Sequence, residues 1–126
     1  MLRFLALLAC LSAPPAMAQE RLGLPSGLEV VLHEILWDAD QATARFRFIA
    51  EDIAAPAFDP AALLDDMETL CRDFALPILR SRFAQADALV LSVASAPSPF
   101  GASDSGLTQF FEGFEVEGDN CIWSAF

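Results

Sequence analysis

One strong helix signal lies in the middle of this 126-residue chain and limits the folds open to it. Asp59 can accept hydrogen bonds from free backbone amides as an N-cap residue, and Pro60 suits the first helical position. Apolar side chains then recur at helical spacing, at Leu63, Met67, Leu70 and Phe74, with Leu64 and Cys71 beside them. Pro77 is expected to end or kink this helix, and residues 78–86 to hold a further helical turn. Such an apolar stripe needs a second layer on which to pack.

Two strand patterns precede the helix. Residues 28–37 and 43–50 are rich in apolar and β-branched residues and flank an acidic turn, which predicts a β-hairpin. The second strand alternates two sets of side chains, Ala44, Phe46 and Phe48 against Thr43, Arg45 and Arg47. In the first strand both phases are apolar apart from His33 and Glu34, so the pattern leaves its buried face open.

Three further strand patterns follow the helix, at residues 88–94, 108–116 and 121–126. In the middle one, Phe110, Phe114 and Val116 share one face and Phe111 takes the other. The resulting order is ββαβββ, without a repeat. The sequence therefore predicts an α+β fold of two layers, in which one main helix packs on an antiparallel sheet. Residues 28–126 would form this single domain, after a flexible lead-in at residues 19–27.

The first 18 residues have the layout of a secretory signal peptide. Arg3 precedes a short apolar run, and Ala16-Met17-Ala18 places small residues at both positions that a signal peptidase reads. Cleavage before Gln19 would make the protein periplasmic or secreted. The alternative is lipid attachment at Cys10, but cleavage there leaves a shorter apolar core than the usual minimum of about 7 residues. The run is also far below the roughly 20 residues that span a bilayer, so no stable membrane span is expected.

The cysteine count agrees with export. Removal of residues 1–18 discards Cys10 and leaves Cys71 and Cys121, and an even count in an exported chain favours a disulfide. Such a bond would close a loop of roughly 50 residues, worth about 4 kcal/mol by chain entropy. Two buried free thiols are the alternative.

Acidic residues dominate the charge of the chain. The whole chain has a formal net charge of −11, and without Arg3 the predicted mature chain has 6 − 18 = −12. This charge repels nucleic acid and anionic lipid surfaces, so neither is an expected partner. A protein or a small molecule remains as the unknown partner.

Candidate catalytic and metal-binding residues are few. His33 is the sole histidine, and its neighbour Glu34 should point to the opposite face of the strand, so the two cannot form a dyad directly. Two acidic turns, with Asp38 and Asp40 in one and Glu117 and Asp119 in the other, offer oxygen ligands for a hard cation, yet no twelve-residue calcium loop is present. The sequence therefore predicts no metal site, no catalytic residue and no cofactor.

Aromatic residues offer a different lead. Phe111 opposes the apolar face of its strand, Phe100 lies in a Pro-rich loop, and Trp37 ends the first strand. Together they are candidates for a contact surface. The prediction is an exported, small acidic domain that serves as a non-catalytic binding or accessory module. A small hydrolase or metal-dependent enzyme using His33 or the acidic turns is the alternative.

Four stretches together resemble a known family: PSGLEVVLHEILWD, LCRDFALPIL, PSPFG and TQFFEGFEVEGDNCIW. The family consists of small exported alphaproteobacterial proteins classed as a domain of unknown function, and some members are labelled acetolactate synthase. Enzymes with that activity use thiamine diphosphate, which is bound at a Gly-Asp-Gly motif. Here the nearest match, Gly118-Asp119-Asn120, lies in a tight turn. The resemblance therefore implies a family and a compartment, with no catalytic residues to transfer.

Overall fold

The computed structural model describes Cys10, residues 20–103 and residues 106–124. In these ranges six strands form one sheet, in the order β1-β2-β3-β4-β5-β6, and a helical stretch packs on one face. The strands are β1 (Arg21–Gly23), β2 (Glu29–Asp38), β3 (Thr43–Ile49), β4 (Ala88–Ala94), β5 (Gln109–Glu117) and β6 (Asn120–Ser124). The helical elements are a 3-10 turn (Glu51–Ala54), α1 (Pro60–Leu70), a π-helical segment (Cys71–Ala75) and α2 (Leu76–Arg82). The fold is α+β with one main helix, as predicted.

Two predicted segments fall partly outside this description. The predicted signal peptide, residues 1–18, lies outside the described residues apart from Cys10, which is an exposed free cysteine. Ala125 and Phe126, the predicted end of the last strand, also lie outside them. No helix in the described ranges is long and apolar enough to cross a bilayer.

The sheet is mostly antiparallel, with one parallel pair at its centre. Each neighbouring pair among β1, β2 and β3 is antiparallel, and so is each neighbouring pair among β4, β5 and β6. β3 and β4 pair in parallel, from Thr43 opposite Ala88 to Ile49 opposite Ala94. The helical stretch connects these two strands and returns the chain to the end of the sheet where β3 began, which a hairpin cannot do. The prediction of an antiparallel sheet is therefore wrong for the β3–β4 pair.

The predicted flexible lead-in contains an ordered strand. β1 pairs with β2 from Arg21 opposite Val31 to Gly23 opposite Glu29, which adds a strand ahead of the predicted ββαβββ order. A tight turn joins them, in which Gly27 has φ +94° and donates a 2.9 Å hydrogen bond to the carbonyl of Leu24. The turn is also tied to the helix. Ser26 donates from its backbone N–H and its hydroxyl to the buried carboxylate of Asp66.

The helix starts where predicted but does not end at Pro77. The Asp59 carboxylate accepts a 3.0 Å hydrogen bond from the Ala61 N–H, which confirms the N-cap. Pro77 would normally bring its ring against the carbonyl four residues earlier. Here the π-helical segment precedes it, and the Leu76 N–H bonds to the Cys71 carbonyl, five residues back. This wider turn accommodates the proline, and the chain continues helically to Arg82.

A β-bulge explains why the buried face of β2 could not be read from the sequence. Leu32 pairs with Phe48 and Glu34 with Arg47, so His33 is an extra residue in β2. The bulge reverses the alternation, and both phases of the strand therefore contain core residues. Before it Val30 and Leu32 face the helix, and after it Ile35 and Trp37 do.

The core lies between the sheet and the helix. Its large, fully buried aliphatic, methionine and phenylalanine side chains come from β2, β3, β4 and both parts of the helix: Val30, Phe46, Phe48, Leu63, Met67, Leu79, Leu89, Leu91 and Val93. A disulfide between Cys71 and Cys121 joins the helix to β6, with the two Cα atoms 6.3 Å apart. The predicted pairing is confirmed. The helix is thus covalently attached to the strand at one edge of the sheet.

Candidate functional site

The sheet face that points away from the helix carries charged and polar side chains; we call it the open face. Because Ala44, Phe46 and Phe48 are buried against the helix, the alternation of β3 places Arg45 and Arg47 on the open face. In the neighbouring strands, Ser92 pairs with Arg47 on one side and with Phe111 on the other. Two arginines therefore lie at the centre of the sheet, on a central strand.

A loop segment, residues 97–102, covers part of this face; we call it the covering segment. Its base is closed by hydrogen bonds between Ser95 and Thr108, one from each backbone N–H, at 2.9 and 3.1 Å. At its tip the Ala102 N–H donates to the Pro99 carbonyl at 3.1 Å, and Gly101 has φ +79°. This is the geometry of a turn that requires glycine at its third position. It presents Phe100 above the sheet.

Arg47 holds the covering segment in place. Its guanidinium donates to the Ser98 carbonyl at 2.8 Å and forms an ion pair with Glu34. Only 7% of its side chain is exposed. The charge of Arg47 is therefore balanced within the protein and two of its five N–H donors are in use, so its role is to anchor the segment.

Arg45 lies on the same face as Arg47 but makes far fewer bonds. Its nearest carboxylate oxygen, Oδ2 of Asp38, is 3.9 Å away, and its guanidinium makes no hydrogen bond to any residue in the described ranges. The other oxygen of Asp38 accepts from the backbone N–H groups of Asp40 and Gln41, which fixes the carboxylate in its own turn. With 27% of its side chain exposed, Arg45 has hydrogen-bond donors available to a bound molecule.

The Phe100 ring lies over both arginines. Its centroid is 5.7 Å from the guanidinium carbon of Arg45 and 5.7 Å from that of Arg47, within the range of a cation–π contact. Even so, 59% of Phe100 is exposed. The ring is therefore held in position by the arginines and remains accessible to a ligand.

A cavity of about 170 Å³ lies between the covering segment and the sheet. Its floor is formed by Val90 and Ser92 of β4, and Phe100 and the half-exposed Phe111 stand at its sides. The described residues that line it include two arginines and no carboxylate, in a chain with a net charge of −11. A few convergent polar groups between apolar walls are typical of small-molecule sites.

Two of the three predicted contact residues line this cavity, and the third, Trp37, borders a neighbouring groove with Phe100. Phe100 and Phe111 line the cavity. The Trp37 ring is on the helix side of the sheet, stacked on Phe83 with ring centroids 5.3 Å apart. Their contact role remains a prediction. The sequence alone does not mark Arg45 and Arg47 as site residues, although the alternation of β3 places them on one face.

His33 is the candidate catalytic residue of the enzyme alternative, and it lies on the surface. His33, exposed in the β-bulge, borders a groove of about 380 Å³ that also contains Glu51 and Asp52. Its imidazole makes no hydrogen bond to another described residue, and the described lining of this groove contains no serine, threonine or cysteine. His33 also borders a second, more open groove with Glu34 and Ser98. In the described ranges the bonds to Ser98 come from Arg47, and none joins this serine to His33.

The acidic turns are occupied by local contacts. The Asp38 carboxylate accepts the two backbone hydrogen bonds within its own turn, and Asp40 is one of the donors. Oδ1 of Asp119 lies 4.0 Å from Nη2 of Arg80. Glu117 is opposite Asn120 in the β5–β6 register, beside the turn at Gly118. Nowhere in the described ranges do three His, Cys, Asp or Glu side chains come together as metal ligands would.

The sequence patterns do not indicate one exposed apolar surface, formed by β6 and α1. Trp123 of β6 is on the helix side of the sheet, next to Leu64 of α1, and both are exposed. The indole N–H of Trp123 donates to the Glu112 carboxylate. A short edge strand at the end of the chain gave no signal that this tryptophan would lie outside the core.

Fold and site together define a small α+β domain with a disulfide, a closed core on one side of the sheet and a ligand-sized cavity on the other. The chain belongs to the family described as "Family of unknown function (DUF6497)", whose model matches residues 7–126. The predicted resemblance to a domain of unknown function is thereby confirmed. No curated protein and no solved structure matches the chain.

Proposed function

We propose that this protein is an exported, non-catalytic binding module, and that it binds a small ligand, or one group of a larger partner, in the cavity beneath Phe100. One observation carries the proposal: the half-buried guanidinium of Arg45, without a hydrogen bond to any described residue, faces a cavity with aromatic sides. No buried side-chain nitrogen or oxygen in the described ranges lacks a hydrogen-bond partner, so the free donors of Arg45 face solvent within the cavity. An acceptor group of a ligand can take the place of water there.

The architecture supports recognition over turnover. The cavity floor belongs to β4, a central strand paired on both sides, so the site would be preformed. Its polar groups are two arginines, Ser92, Ser98 and Gln109. The Glu34 carboxylate bonds to Arg47, and in the described ranges no histidine or carboxylate bonds to either serine hydroxyl. Such groups can orient and hold a ligand.

Export is supported by two features. The signal-like residues 1–18 predict cleavage before Gln19, and the Cys71–Cys121 disulfide fits an oxidising compartment. The test is the intact mass of the protein recovered from the periplasm or medium, with and without reduction. We expect a chain that starts at Gln19 and shows two thiols only after reduction. A lipid-modified chain that starts at Cys10 would contradict cleavage at Gln19 and place the protein on a membrane.

Binding is tested by adding a panel of small uncharged, cationic and anionic fragments to the ¹⁵N-labelled, disulfide-bonded protein. We expect some fragments to shift the amide signals of Ser92 and Phe111 and of the covering segment. Phe100→Ala should weaken that binding several-fold. Leu64→Ala is the matched control, because it removes an exposed apolar side chain elsewhere on the surface. A panel in which no fragment shifts these signals would overturn the proposal.

A further inference from the structure

We propose that the ligand bound in this cavity carries a single carboxylate, which Arg45 binds, next to an apolar group that contacts Phe100 and Phe111. This inference rests on the proposed function and specifies the chemistry of the ligand. It follows from the donors of Arg45, from the local charge and from the size of the cavity.

The first argument is geometric. A guanidinium presents a planar set of five N–H donors, and two of them match the two oxygens of a carboxylate. Arg45 makes no hydrogen bond within the described residues, and the Oδ2 atom of Asp38 is 3.9 Å from its nearest nitrogen, too far for a hydrogen bond. The planar edge of Arg45 is therefore open to an acceptor from outside the protein.

The second argument is the charge at the site. The positive charge of Arg47 is balanced by its ion pair with Glu34, and its donors reach Ser98. Asp38 balances Arg45 incompletely, because its position is set by the backbone of its own turn. At most one positive charge is left over, which suits a monoanion better than a dianionic phosphate.

The third argument is size. A volume of about 170 Å³ corresponds to about five or six water molecules, at roughly 30 Å³ each. This space takes a carboxylate and a small ring or branched side chain, either as a whole small molecule or as one end of a larger one. Phe100 and Phe111 would contact the apolar part while Arg45 holds the charged end.

The test compares benzoate with benzamide, which have the same ring and nearly the same size but differ in charge. Dissociation constants are measured from the shifts of the Ser92 and Phe111 amide signals in the disulfide-bonded protein. We expect benzoate to bind at least about tenfold more tightly than benzamide, because bonds between charged groups are the stronger ones. Phenyl phosphate should bind no more tightly than benzoate.

Variants assign the preference to Arg45. Arg45→Gln should reduce the benzoate advantage to less than about threefold, and Arg45→Lys, which keeps the charge but loses the planar donors, should give an intermediate value. Arg80→Gln is the matched control, since it removes an exposed arginine that is weakly paired with Asp119. It should leave both dissociation constants unchanged. An unchanged benzoate preference in Arg45→Gln would overturn the assignment to Arg45.

Two sources of the carboxylate can be separated in the same assay. Acetyl-Ala-Ala with a free carboxyl end represents a peptide terminus and is compared with its amidated form, while benzoate represents a free acid. Preference for either charged probe over its amide supports the inference, and the tighter of the two indicates the source. Equal binding of both pairs, or tighter binding of phenyl phosphate, overturns the carboxylate inference. If uncharged or cationic fragments still bind, the proposed function stands; if nothing binds, both fail.

Discussion

The two faces of the sheet are formed by the same strands but differ in what covers them. On the helix side, Phe46, Phe48 and Leu91 are completely buried and the covering helix is attached by a disulfide. On the open face, Arg45 and Phe111 occupy the alternate positions of β3 and β5, beneath a single loop segment. The comparison shows that one alternating pattern can supply stability on one side and recognition on the other.

The two coverings also differ in how they are held. The helix is fixed to the sheet by a continuous apolar interface and by the Cys71–Cys121 bond. The covering segment is held chiefly by Arg47, through Ser98, and by the contact of Phe100 with the arginines. Substitutions on the two faces should therefore have unequal effects on stability.

The largest effect is expected from truncation of a core aromatic residue. Phe48 is fully buried and meets Phe74 edge to face, with ring centroids 5.9 Å apart. Phe48→Ala should lower the free energy of unfolding by about 3–5 kcal/mol, because it leaves a cavity in the core. Phe111→Ala, the same substitution on the open face, should cost less than about 1 kcal/mol, since the side chain is already half exposed. Urea denaturation measures both, and equal losses would contradict the division between the faces.

Removal of the disulfide should have the next largest effect. The Cys71→Ala, Cys121→Ala double variant opens a loop of 50 residues in sequence separation. We expect a loss of about 2–4 kcal/mol in unfolding free energy, because the unfolded chain gains conformational freedom. The unsubstituted protein with reducing agent should show a similar loss and serves as the control. An unchanged denaturation midpoint in both samples would show that the helix and β6 do not depend on the bond.

A smaller effect is expected at the anchor of the covering segment. Arg47→Gln removes the hydrogen bond to Ser98 and leaves Glu34 without its partner. We expect a loss of about 1–2 kcal/mol in unfolding free energy, together with shifted amide signals in the covering segment. Denaturation and an amide spectrum measure the two effects. Spectral changes confined to the helix side would contradict the anchoring role.

Much of the fold follows from local patterns. The strand predicted at residues 88–94 has the observed bounds, the N-cap at Asp59 is confirmed, and Phe110 and Phe111 lie on opposite faces of β5. Cysteine arithmetic gave the Cys71–Cys121 pair. These features depend on period, capping chemistry and residue count, which the sequence displays directly.

The remaining features depend on interactions between distant segments. β1 is short and is fixed by its pairing with β2 and by the bond from Ser26 to Asp66, 40 residues away. The bulge at His33 removes the alternation that would have identified the buried face of β2. The cavity forms only when the covering segment folds over β3 and β4, so Arg45 and Phe100 had no shared signal in the sequence. Tertiary contact alone makes these residues neighbours.

The most direct test of the account measures stability and binding together in one variant, Arg45→Gln. If the helix side stabilises the fold and the open face recognises a carboxylate, the free energy of unfolding should stay within about 0.5 kcal/mol of the unsubstituted protein. The advantage of benzoate over benzamide should fall from at least about tenfold to less than about threefold in the same sample. A stability loss as large as that of Arg47→Gln, with benzoate affinity unchanged, would show that Arg45 is a structural residue and would contradict the account.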